Sequence, residues 1–91
     1  MLTLRLTGVR DYSVFEVGQH IGRIRFASDR SPGVWLWHVQ IPHIPGPPFG
    51  STASLDDAKR HFRANWLAFK VKHGPQALAA AYRAMNKRLE G

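Results

Sequence analysis

The sequence predicts an α+β fold: a three- to four-stranded antiparallel sheet packed on one helix, followed by a second, C-terminal helix. Three observations predict it. Through the first half, apolar and polar residues alternate with the period of two that a half-buried strand requires. The turn segments between these runs are too short for crossovers, so neighbouring strands pair antiparallel. From Ser54 onward the composition shifts to helix formers, and apolar residues recur at i, i+3 and i+4. A chain of 91 residues supports one core, so residues 1–91 read as a single domain.

Leu2, Leu4 and Leu6 alternate with Thr3 and Arg5 in a first strand that Gly8 ends. Tyr12 to Val17 is rich in β-branched and aromatic residues. Gly18-Gln19 then supplies a tight turn, and His20 to Ala27 forms the partner strand. Ser28 to Gly33 is dense in turn residues, and Val34 to Ile41 is the next strand. The sheet therefore occupies residues 1–41. Residues 42–53 read as a loop stiffened by Pro42, Pro45, Pro47 and Pro48.

Ser54 is a good N-cap for a helix over 54–73, with Asp57 three residues on in a variant of the capping box. Its core stripe is Leu55, Ala58, Phe62, Trp66 and Phe69. Gly74-Pro75 stops that helix and can start another over 75–90. The second helix has one apolar stripe: Leu78, Ala81, Tyr82, Met85 and Leu89.

Alternation also assigns the faces. Arginine is seldom buried unpaired, so Ile24 and Phe26 face the core while Arg23 and Arg25 face out. Trp35, Trp37, Val39 and Ile41 belong against the first helix. The open face then shows Arg23, Arg25, His38 and Gln40, with Leu36 among them and Arg5 on a neighbouring strand.

The absence of cysteine excludes disulfides, thiolate metal sites and a cysteine nucleophile. No apolar segment has the length of a signal peptide core or a membrane span, so a cytoplasmic location is expected. The five histidines have no ligand spacing, so no metal or cofactor is expected. Ser51, Thr52 and Ser54 have no base beside them, and no carboxylate pair suggests acid–base work, so the chain is not expected to be an enzyme. Two Pro-x-x-Pro spacings read as a stiff spacer rather than a polyproline ligand.

The formal charge is +7, and it is uneven: +2 over residues 1–54 and +5 over 55–91. A basic balance points to a polyanionic partner or to a plain solvated surface. Alternate arginines on one strand project about 6.6–7 Å apart, close to the phosphate spacing of one DNA strand. The expected function is thus non-enzymatic binding of DNA or RNA through Arg5, Arg23, Arg25, His38 and Gln40. The second reading is a protein-interaction or self-association module. Leu67 and Val71 lie off the core stripe of the first helix. With Leu78, Tyr82, Met85 and Leu89 they form an interface strip that predicts a homodimer.

The order of strands and helix, with Arg23, Arg25 and the capped helix that follows Gly50-Ser51-Thr52-Ala53-Ser54-Leu55-Asp56-Asp57-Ala58, resembles the sheet-reading DNA-binding domain of plant ethylene-response factors. Related integrase N-terminal domains share that plan. The resemblance covers residues 12–69 and implies DNA contact through the sheet. The chain is also similar to short uncharacterised bacterial proteins with a glycine–arginine strand, a Trp-x-Trp strand and a capped amphipathic helix. That likeness implies no activity.

Overall fold

The computed structural model describes residues 2–29 and 31–90, the side chains of 88–90 excepted. It contains β1 (Leu2–Gly8), β2 (Asp11–Glu16), β3 (Gln19–Ala27), β4 (Val34–Val39), β5 (Phe49–Thr52) and α1 (Leu55–Glu90). The strands pair in chain order, each antiparallel to the next, in one five-stranded meander. α1 packs on one face of it, over β4 and β5 and touching β3.

The core follows from the alternation. Val14, Ile24, Trp37 and Val39 point to the helix and are buried, as are Ala58, Phe62, Trp66 and Phe69 on α1. Two glycines let the layers close. A Cβ on Gly22 would stand 2.6 Å from the Phe62 ring and 2.5 Å from the His38 carbonyl oxygen. One on Gly50 would stand 2.8 Å from the Trp37 ring. Trp37 meets Phe62 edge-on at 6.3 Å, and Trp66 stacks on Phe69 at 6.0 Å.

A bulge between β2 and β3 adds an unpaired residue, Ile21, between the pairs Phe15–His20 and Val14–Gly22. It turns Ile21 into the core, where it is fully buried, and leaves His20 beside Phe15.

Three expectations need correction. The segment 42–53 is not all loop, because Phe49–Thr52 pairs with β4 as β5. Proline density hid this strand: Pro47 and Pro48 precede it, and the residue it sets against the Trp37 ring is Gly50, which has no side chain to show the alternation. The β2–β3 turn is Val17-Gly18 rather than Gly18-Gln19. Both have positive φ, 48° and 79°, as a type I′ turn demands. Finally, there is no separate second helix. Residues 75–90 continue α1 across a kink at Gly74, whose φ of 84° and ψ of 162° only glycine adopts readily. Pro75 follows directly, with no connecting loop.

The kink folds the last part of α1 back onto its own domain. Leu78 and Ala81 join the buried core with Ile41 and Ile44, and Tyr82 and Met85 pack against it. Asn86 Nδ2 donates to Gln19 Oε1 at 3.0 Å, tying this arm to the start of β3. At the other end of α1 the Asp57 amide donates to Ser54 Oγ at 3.1 Å, so the cap forms where the sequence places it.

Candidate functional site

The sheet face away from α1 carries the residues singled out for binding. The register aligns Arg5, Ser13, Arg23, His38 and Phe49 in one row across all five strands. Successive strands are about 4.8 Å apart, so the row is roughly 19 Å long. A second row sets Asp11 beside Arg25, Leu36 and Ser51. Phe15, paired with Thr3 and His20, begins a third. Arg5, Arg23, Arg25 and His38 therefore share one face, and Gln40, just past the end of β4, joins it through its contact with His38.

Their surroundings differ. Arg5 lies over the Phe15 ring, its guanidinium carbon 5.2 Å from the centroid. Arg23 forms a two-pronged ion pair with Asp11, its Nε donating to Oδ1 at 2.7 Å and its terminal nitrogen to Oδ2. The Arg23 hydrogen bond holds the Asp11 carboxyl below the usual carboxylate range, against a smaller opposing effect of burial. The same bond raises Arg23. Among the described residues, Arg5 and Arg25 have no carboxylate at salt-bridge distance.

Burial, then the charges of Arg23 and Arg25, push His38 down from its ordinary value of 6.5. Gln40 Nε2 donates to His38 Nε2 at 2.9 Å, which requires a neutral ring protonated on Nδ1. Beside them Phe49 is 80% exposed, an aromatic surface standing in water at the end of the arginine row.

Asp11, Phe15 and Phe49 were missed as site residues. The first two were within reach of the sequence. In Asp11-Tyr12-Ser13-Val14-Phe15 the residues that alternate with Tyr12 and Val14, namely Asp11, Ser13 and Phe15, face outward by period two. Phe49 could not be placed without knowing that β5 exists.

The expected interface strip does not hold together. Leu78 is buried, and Tyr82 and Met85 are half-buried against their own core. The Leu89 side chain lies outside the described residues. Leu67 and Val71 are exposed, at 47% and 85%. The arm that carries Leu78, Tyr82 and Met85 packs on its own chain's core.

No group of three or more His, Asp or Glu side chains converges as a metal site among the described residues. None of the described helix is long and apolar enough to cross a membrane. Comparison with protein-family profiles, curated proteins and solved structures finds no match.

Proposed function

We propose that the open sheet face binds nucleic acid without chemical turnover, and binds single strands in preference to duplex. The observation that carries this reading is the cross-sheet row Arg5–Ser13–Arg23–His38–Phe49. On this reading the arginines would meet phosphates and the exposed Phe49 ring would meet a base on the same face. Base stacking on an aromatic side chain contributes about 1–3 kcal/mol per base and tolerates any sequence. A duplex hides its base faces and has no use for Phe49, whereas a single strand offers them. A homodimer is no part of this reading, because Leu78, Tyr82 and Met85, the greater part of the described strip, pack on their own chain's core and leave Leu67 and Val71 exposed by themselves.

The test is fluorescence anisotropy with a labelled single-stranded dodecamer and its duplex over a range of salt. Log affinity for the single strand should fall with log salt by about 0.7 per phosphate contacted. Replacing Arg5 and Arg25 together by alanine should flatten that slope by about 1.4. Absence of binding to either form at low salt would refute the proposal.

A further inference from the structure

The helix-facing side of the sheet is wider than its cover. Five strands span about 19 Å, and a helix with its side chains is about 10–12 Å across. Because α1 lies over β4 and β5, the flank formed by β1 and β2 is left as a groove of about 540 Å³ against the side of the helix. Its accessible apolar residues are Leu2 and Leu4 from β1 and Leu67 from α1, over a packed floor that includes Phe62 and Trp66. Leu6 continues the β1 row outward and is 62% exposed.

The polar groups are few and mostly of one sign. Glu16 accepts from Trp66 Nε1 at 3.1 Å and from Lys70 Nζ at 2.8 Å, so the one carboxylate in the groove is already engaged. Burial pushes Glu16 up, but the hydrogen bonds from Lys70 and Trp66 outweigh it and keep the group ionised. Lys59 and Arg63 line the same wall one helical turn apart. Neither has a carboxylate at salt-bridge distance among the described residues.

We propose that this groove binds a single-chain amphipathic anion, an aliphatic carboxylate. Its chain lies along Leu2, Leu4 and Leu67, and its head group bonds to Lys59 and Arg63. A concave apolar site of several hundred Å³ with a few convergent polar groups is the usual form of a small-molecule pocket. The charge selects the occupant. A second copy of the chain would bring its own Lys59 and Arg63 to the contact, cation against cation. A carboxylate instead meets the guanidinium in its favoured two-pronged geometry.

Isothermal titration of the full chain with octanoate, decanoate and dodecanoate, below their micelle concentrations, tests this. Affinity should rise about fourfold per methylene until the groove is full. Dodecyltrimethylammonium, with the same chain and the opposite charge, should bind far more weakly. Lys59→Glu with Arg63→Glu, both at exposed positions, should weaken dodecanoate roughly tenfold or more and reverse the charge preference. A labelled oligonucleotide on the opposite face should stay bound when dodecanoate is added, so this site and the nucleic-acid face succeed or fail separately. Equal affinity for the two head groups, or no dependence on chain length, would overturn the proposal. So would a dimer in sedimentation that Leu67→Glu dissociates and that takes up no carboxylate.

Discussion

The two faces of the sheet are built by the same alternation and are held by different physics. On the helix side, neighbours fix each residue. Gly22 and Gly50 are small because Phe62 and Trp37 occupy the space a side chain would need. On the open side the long residues are constrained only by each other, through the Arg5–Phe15 contact, the Arg23–Asp11 pair and the Gln40–His38 bond. Substitutions on the first face should therefore read out as stability. Those on the second should read out as binding.

The largest contrast is between two aromatic residues on β4 and β5. Trp37 is 4% exposed and Phe49 is 80% exposed. Trp37→Ala should cost about 3–5 kcal/mol, approaching the whole stability of a small domain. Phe49→Ala should cost less than about 0.5 kcal/mol in denaturant unfolding. It should nevertheless weaken single-strand binding by roughly fivefold to 150-fold, the equivalent of one lost stack. A folded Trp37→Ala protein that had lost only binding would reverse the assignment of faces.

A smaller effect is expected at Gly22, where the faces meet. Alanine there would press on both the Phe62 ring and the His38 carbonyl oxygen. Overpacking of this kind costs about 1–3 kcal/mol. The strain falls on the backbone of His38 itself, so Gly22→Ala should also perturb binding. The pairing of a lower unfolding midpoint with weaker oligonucleotide binding would show that the faces are coupled through the β3–β4 ladder.

How much of this was legible in the sequence depends on whether a signal was local. The outward set Arg5, Arg23, Arg25 and His38 follows from period two within single strands. So does the core set Ile24, Trp37 and Val39. The N-cap at Ser54 is likewise written in neighbouring residues. What was not legible depends on partners distant in sequence. β5 is a strand because β4 offers it a ladder, and its own four residues carry little β propensity beyond Phe49 and Thr52. The fold-back of the last arm depends on where Ile41 and Ile44 lie, and Gly74-Pro75 permits projection as readily as return. The Arg23–Asp11 pair joins residues 12 apart whose meeting requires the hairpin register.

That pair sets the next expectation. Asp11 neutralises Arg23, so the face presents less charge than its arginines suggest. Asp11→Asn should release Arg23 and steepen the salt dependence of single-strand binding by up to about 0.7. Being a partly exposed pair, it should change stability at neutral pH by no more than about 1 kcal/mol. The Asp11 carboxyl is held below its ordinary 3.8, so its contribution to stability is present above that value. It is lost as the pH falls through the lower folded value, and the variant's unfolding curve should lack that part of the acid slope.

The smallest effect expected is at His38, where binding and folding respond to acid in opposite directions. In the free protein, burial, Arg23 and Arg25 keep the ring neutral, with Asp11 opposing them weakly. Its folded value lies below 6.5, so the unfolded chain takes up the proton first, and this group's contribution to stability declines as the pH drops below 6.5. A polyanion laid across the row changes the balance. Its phosphates offset Arg23 and Arg25 and add negative charge beside the ring, so the bound value rises above the free one. Binding then takes up a proton, and affinity increases as the pH falls between the two values, by at most about tenfold per pH unit for one group. Protonation of Nε2 turns it from acceptor to donor, and rotation of the Gln40 amide brings its oxygen to the same position and keeps the contact. Oligonucleotide titrations from pH 8 to pH 5.5 should show this rise in the native protein and a flatter profile in His38→Gln. A native profile as flat as the variant's would place His38 outside the contact and leave the arginines and Phe49 to carry it.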